Sequence, residues 1–365
     1  MACTDMVADI NTTYCCTMPS TSAPSGHPYV VPSTGKETPI KKDEAGAFSL
    51  IRKALEDRGI SNEAQQIIIN SWRRTTRKQY QTYLKQWFHF CEGKHDPFKP
   101  LVATVIAFLS HLYSKGITYS AIGIARSAIC EFDKITSNVD LSNNNLISRF
   151  MKGVFNTRPA LPRYKEIWDV RTVLDFLSKT ENDTLLFLAG KLSMLFLLLS
   201  AQRCQTLHLI CLEDINISDE RLIINTSHLL KTSKPGRHQT PFLFDSFKSD
   251  KRLCIVSVIS EYLQRTKDLR NTNKLLISTV KPHGAVSKQT IWIKLIMHRA
   301  GVHKSFKPHS TRAAASSITH MRGVPLQTII ESAGWSNAKT FAKYYDKPVS
   351  NTNGKSMQAI IDIAN

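Results

Sequence analysis

The chain has 365 residues, enough for two domains with separate cores. Its 48 Lys and Arg outnumber its 29 Asp and Glu, giving a formal net charge of +19. The basic residues run through the whole chain instead of forming one tail, and a field of that sign favours a polyanion, because each phosphate neutralised releases condensed counterions. None of the eight cysteines forms a C-x-x-C pair, which excludes a zinc ribbon or finger. The first residues lack the basic-then-apolar order of a secretory signal. The cysteines therefore read as reduced thiols in an intracellular setting.

In chain order, residues 1–43 are rich in Ser, Thr, Pro and Gly and show no period, so they read as a disordered tail. Folded structure is expected from Ala47, with Phe48, Ile51 and Leu55 at helical spacing. Over residues 71–91, Tyr80, Tyr83, Leu84, Trp87, Phe88 and Cys91 fall on one stripe, the mark of an amphipathic helix. Arg73, Arg74, Arg77 and Lys78 crowd its start. Cations oppose the macrodipole there, so a DNA backbone is one reason for them and a solvated basic turn is the other. Further helices are expected over residues 100–114, with Val102, Val105, Ile106, Leu109 and Leu112 inward, and over residues 119–133 and 145–155. The first unit, residues 44–158, thus reads as a helical bundle, and TRPALPRYKE reads as a linker.

The second unit, residues 159–350, opens with a helix over residues 170–179. Next comes LLFLAGKLSMLFLLLSA, too short and too interrupted by Lys191 for a membrane span, so a buried core helix is expected. Two β-prone stretches, residues 221–225 and 239–244, flank the turn material TSKPGR and suggest a small hairpin or sheet. Helices are then expected from Leu253 to Tyr345 with short breaks. In residues 351–365, Met357, Ile360, Ile361 and Ile363 can form a short amphipathic helix. The fold class is mainly α with a small antiparallel β-sheet.

Several residues of this second unit suit chemistry on a phosphodiester. Arg203 follows the apolar helix, and its planar fork fits two phosphate oxygens; the alternative is an arginine paired with Glu213 or Asp214. Lys231, with Lys234 as competitor, lies between the two β-prone stretches, where a lysine can reach a DNA groove and protonate a leaving oxygen. In KPHSTRAAASSITHMRG, Ser310 or Thr311 can cap a helix whose first turn carries His309 and Arg312, beside the positive helix end. Trp335 offers an indole N–H, and Tyr344 and Tyr345 end the next helix. The stretch from Pro325 to Tyr345 also reads as a helix-turn-helix, which would bind DNA without chemistry.

In this order the segments RCQTL, LLKTS-x-PG, HSTRAA and AGWS-x-x-KTFAKYY resemble the tyrosine recombinase (phage integrase) superfamily, and look closest to recombinases of DIRS-like eukaryotic retrotransposons. The resemblance implies a helical core-binding domain and an α+β catalytic domain that together clamp double-stranded DNA. It implies that Arg203 and Arg312 hold the non-bridging oxygens, that His309 and Trp335 add hydrogen bonds, and that Lys231 protonates the departing 5′ oxygen. A tyrosine would then form a 3′-phosphotyrosine, with no metal, ATP or small-molecule cofactor. The tail after residue 350 would dock on a neighbour in a homo-tetramer on DNA. A nuclear location follows from the element family. Two points depart from the pattern or stay open. Many members have an acidic residue three after the first arginine, where this chain has Thr206. Spacing from Trp335 selects Tyr344, whereas Tyr345-Asp346-Lys347 and the aromatic before it select Tyr345, the preferred nucleophile. A DNA-binding protein that has lost the chemistry and a type IB topoisomerase are the alternative functions.

Overall fold

The computed structural model describes residues 47–137, 140–230, 233, 235–236, 240–286, 290–335 and 337–349. The expected N-terminal and C-terminal tails, and both Lys231 and Lys234, lie outside the described residues. The chain divides into two compact units, Met1–Ala160 and Leu161–Asn365.

The first unit is helical: α1 (Ala47–Glu56), α2 (Asn62–Asn70), α3 (Arg74–Cys91), α4 (Val102–Ser114), α5 (Tyr119–Thr136) and α6 (Asn145–Thr157). The aromatic stripe of α3 drives its packing. Leu84, Trp87 and Cys91 are buried. Trp87 meets Phe108 of α4 edge-on at 5.5 Å, and Phe88 meets Phe132 of α5 at 5.4 Å. Burying each of these rings contributes roughly 2–3 kcal/mol. The Trp87 indole keeps its polar end satisfied by donating to the Pro97 carbonyl at 3.1 Å. Ser71 and Trp72 precede α3 instead of belonging to it, and Trp72 packs against Phe48 at 5.8 Å. The basic start of α3 is real: Arg73 occupies the N-cap without a side-chain capping bond, no acidic residue sits in the first turn, and Arg73, Arg74 and Lys78 are exposed.

The second unit is built around α8 (Leu185–Ser200). Every residue from Phe187 to Leu198 is buried, Lys191 included. Burial lowers the Lys191 pKa, and its buried ammonium is offset by donating to the Thr180 carbonyl at 3.4 Å. Around α8 pack α10 (Ile255–Thr266), α11 (Thr290–Arg299) and α12 (Ser310–Met321), while α7 (Val170–Lys179) packs on α11 and α12. Gly190 permits the close approach of α11, since a Cβ there would meet the Ile296 side chain at 3.0 Å. The short α9 (Cys204–Leu209) leaves the end of α8, and α13 (Leu326–Ala333) and α14 (Ala338–Tyr344) close the unit.

The sheet has three antiparallel strands in the order β1 (Ile215–Ile217), β2 (Arg221–Ile224) and β3 (Phe242–Asp245). Leu222 pairs with Phe244 and Ile224 with Phe242. These four side chains form the buried face, and Phe196 of α8 meets Phe242 edge-on at 5.6 Å. The class is therefore mainly helical with a small antiparallel sheet, as the sequence indicates. Two local expectations fail. The sheet has one strand more than the expected pair, since β1 is three residues, INI, that carry no readable alternation. The stretch between α10 and α11 is also no short break: its described residues hold one 3₁₀ turn (Lys267–Leu269) and the isolated bridges Cys211↔Lys274 and Ile277↔Ala285. Asn271, Asn273, Pro282 and Gly284 explain why no helix propagates there. Among the described residues no helix is long and apolar enough to cross a membrane.

Candidate active site

The site is assembled from the ends of α8, α12 and α14. Helix α8 stops at Ala201, which adopts left-handed φ of 50°. The chain turns sharply and places Arg203 at the N-cap of α9. Among the described residues, Arg203 forms no structural ion pair with Glu213 or Asp214. Glu213 accepts from the Asn273 amide at 3.0 Å, and Asp214 accepts from the Cys211 and Ser227 backbone N–H at 2.8 and 3.1 Å. Both carboxylates are spent on the turn that launches the sheet.

Helix α12 begins differently from the sequence expectation. Its N-cap is His309, in helical conformation and without a side-chain capping bond. Ser310 cannot cap because its hydroxyl accepts from the Trp168 indole at 3.0 Å, and Thr311 donates to the Pro308 carbonyl at 2.7 Å. One turn in, Arg312 is fully buried. Its Nη2 donates to the Ala333 carbonyl at 2.7 Å, while Nε and Nη1 are buried and make no hydrogen bond of good geometry among the described residues, the Tyr345 phenol being the polar group that interacts with the guanidinium. The guanidinium lies 4.7 Å from the centre of the Trp335 ring and 5.5 Å from that of Tyr345. Burial is the first cause that lowers its pKa to about 10; the like charge of Arg203 acts in the same direction, and the nearby Tyr345 phenol opposes both. Arg203 and Arg312 thus feel one another across the site.

Gly334 ends α13 with φ of 67°, where a side chain would be strained. That turn throws Trp335 inward, and Asn337 caps α14 by accepting from Thr340 N–H at 3.1 Å. Trp335 stacks on Tyr345 with centroids 4.6 Å apart and planes at 26°. The two tyrosines part company here. Tyr345 is 9% exposed and Tyr344 is 55% exposed. The His309 ring lies 6.4 Å from that of Tyr345, although His309 itself is exposed. Tyr345 is also held by its backbone: its N–H donates to Phe341 at 2.8 Å and its carbonyl accepts from the Ser317 hydroxyl of α12. The following residues are tied down as well. Lys347 reaches the Tyr164 carbonyl at 2.5 Å, and Ile167 N–H donates to Pro348 at 2.8 Å.

Arg203, His309, Arg312, Trp335 and Tyr345 are therefore brought to one place, and the more exposed Tyr344 touches it edge-on through Tyr345 at 6.5 Å. Sequence reasoning missed Ser317, Gln202 and Trp168, whose hydrogen bonds hold the site together; each bond spans sequence separations of 28 to 142 residues, which no local pattern reports. A buried guanidinium with two donor groups unpaired costs on the order of 1–3 kcal/mol or more for each, so an oxyanion is the natural occupant. A phenol beside such a site can attack that anion's central atom.

Residues 169–350 match the phage integrase family. No curated protein sequence matches the chain. Among solved structures, the Tn1549 transposon integrase in complex with transposon right end DNA is 12% identical, with a TM-score of 0.54 over 87% of this chain and 99% of that one. The same integrase in complex with circular intermediate DNA is 13% identical, with a TM-score of 0.52 over 86% and 99%. The XerH site-specific recombinase bound to its palindromic difH substrate, a post-cleavage complex, is 13% identical, with a TM-score of 0.51 over 80% and 79%. At such identities the likeness is one of fold.

Proposed function

Residues 169–350 form a phage integrase family domain, and from that premise we propose that the chain is a site-specific DNA recombinase that cleaves and rejoins double-stranded DNA through a 3′-phosphotyrosine. One observation carries this reading: Arg312, fully buried and with two guanidinium nitrogens unsatisfied, sits against the ring of the enclosed Tyr345. Arg203 and Arg312 hold the two non-bridging oxygens of the scissile phosphate. Tyr345 Oη attacks phosphorus and releases its proton to water, the bond to the 5′ oxygen breaks, and the protein is joined to the 3′ phosphate. The departing 5′ oxygen takes a proton from Lys231, a role that rests on the family resemblance. Because the ester is conserved, the 5′ hydroxyl of a second strand can attack it and release the tyrosine. His309 and Trp335 border the reacting group. A DIRS-like mobile-element origin, a nuclear site of action and assembly as a tetramer on DNA belong to the same reading and rest on the family resemblance alone.

The experiment is a nicked DNA substrate whose short 5′ fragment diffuses away after cleavage. A covalent protein–DNA adduct and its transfer to a second duplex are the expected results. An adduct that only reseals its own strand would point to a topoisomerase, and no adduct to a DNA-binding protein without chemistry. The charge stabilisation is supplied by side chains, so adduct formation in EDTA is expected to match that in its absence to within about twofold. Complete loss on chelation would contradict the mechanism.

The basic start of α3 is the candidate backbone contact of the first unit. Replacing Arg73, Arg74, Arg77 and Lys78 by Gln is expected to weaken binding to all sequences alike. Each lost phosphate contact should flatten the slope of log K against log salt by about 0.9. An unchanged slope would make this a solvated turn.

A further inference from the structure

The turn between α8 and α9 holds a buried polar pair that the mechanism above does not use. Gln202 and Thr206 flank Arg203 and are 4% and 5% exposed. The Thr206 hydroxyl donates to Gln202 Oε1 at 3.2 Å, and Gln202 Nε2 donates to the Ser332 carbonyl at 2.8 Å. The Gln202 backbone N–H reaches Ser200 Oγ at 3.3 Å, and Thr206 N–H reaches the Arg203 carbonyl at 2.8 Å. Ser332 is the neighbour of Ala333, whose own carbonyl accepts Arg312 Nη2 at 2.7 Å. Two successive carbonyls at the end of α13 thus anchor the segments of both arginines, one directly and one through an amide. That same helix end turns at Gly334 into Trp335, the ring stacked on Tyr345.

We propose that Gln202 is a positioning residue for Arg203, with Thr206 as its support. The inference rests on the recombinase reading. Its physical basis is the charge balance of the site. An acidic side chain beside Arg203 would neutralise part of the field needed at the phosphate, whereas a neutral amide fixes the turn and leaves the arginine free of any ion pair among the described residues. Ala201, at φ of 50°, adds the reason an anchor is needed: a non-glycine residue in the left-handed region persists only where its surroundings over-determine it. The amide is well matched to the task, because it must accept from a hydroxyl and donate to a carbonyl at once. A carboxylate at the same position could accept from Thr206 but would face the Ser332 carbonyl with a second acceptor.

The test compares the unaltered protein with Gln202→Met, which keeps the length of the side chain and loses both hydrogen bonds. Cleavage is measured in single turnover on the nicked substrate and on one whose scissile phosphate is a methylphosphonate. In the methylphosphonate a non-bridging oxygen is replaced by a methyl group and the ester is neutral, so the placement of a guanidinium matters less. On the phosphodiester, Gln202→Met is expected to slow adduct formation by about 10- to 100-fold, the scale of a misplaced charge-stabilising group. On the methylphosphonate the difference should shrink to within about threefold, and DNA affinity should change by no more than that. Equal slowing on both substrates would mean that Gln202 only supports the fold, and no slowing on either would mean that it does nothing; each overturns the proposal. Should Gln202→Met fail to fold, Thr206→Val gives the same comparison, with the same two overturning results. If the unaltered protein forms no adduct on either substrate, the recombinase reading falls, and this inference with it; an adduct with equal slowing removes this inference alone.

Discussion

Tyr345→Phe is expected to abolish the covalent adduct, whereas Tyr344→Phe keeps it. The two substitutions remove the same single oxygen from adjacent residues, so nothing but location separates them. Tyr345 is enclosed at 9% exposure, stacked on Trp335 at 4.6 Å and set 5.5 Å from the Arg312 guanidinium. Tyr344 is 55% exposed and touches Tyr345 edge-on at 6.5 Å. A free phenol attacks poorly at neutral pH, so the reacting one must be held beside a group that stabilises the charge developing at phosphorus. Of the two rings, it is Tyr345 that the Arg312 guanidinium approaches, at 5.5 Å. Loss of a nucleophile is expected to lower the rate by more than about 10⁴-fold, while Tyr344→Phe should stay within about threefold of the unaltered protein. A gel that resolves adduct from free protein reads both. The opposite pattern would assign the reaction to Tyr344 and leave the enclosure of Tyr345 as core packing.

The second large effect concerns Arg312. Arg312→Met is expected to reduce cleavage by roughly 10²- to 10³-fold, the usual cost of removing one preorganised donor at a developing negative charge. Its effect on stability should run the other way. The guanidinium is fully buried, has two nitrogens without acceptors, and has its pKa lowered to about 10 by burial, so the folded state disfavours its charge. An apolar side chain of similar volume removes that penalty, at the loss of one bond to the Ala333 carbonyl. Without DNA, the melting temperature of Arg312→Met is therefore expected to equal or exceed that of the unaltered protein. With DNA, the unaltered protein should gain more stability than the variant, because only its guanidinium is satisfied by phosphate. A fall of more than about 5 °C in the variant without DNA would show that the charge holds the fold and is not waiting for a ligand.

The helices that carry large apolar stripes are legible in the sequence. The bounds of α7 and the inward face of α3 come straight from the spacing of Val, Leu, Trp and Cys. Helix α2 is not, since NEAQQIIIN packs its apolar residues in one run without a period. At the site, the order of Arg203, His309, Arg312, Trp335 and the tyrosine pair is readable as a motif. For the tyrosines the sequence offers two patterns, spacing from Trp335 for Tyr344 and Tyr345-Asp346-Lys347 for the preferred Tyr345, and it carries no sign that one ring is enclosed and the other exposed. Ser310 shows the complementary failure: the local rule makes it a cap, yet Trp168, 142 positions away, claims its hydroxyl. Polar contacts of that range obey no local grammar, and Gln202 with Ser332, 130 positions apart, is another of them.

The most direct measurement is to trap the protein on nicked DNA, digest the adduct and find by mass spectrometry which side chain carries the nucleotide. A 3′-phosphate ester on the oxygen of Tyr345 is the expected result. No adduct on any substrate, or a nucleotide carried by a residue outside the pocket around Arg312, would contradict it.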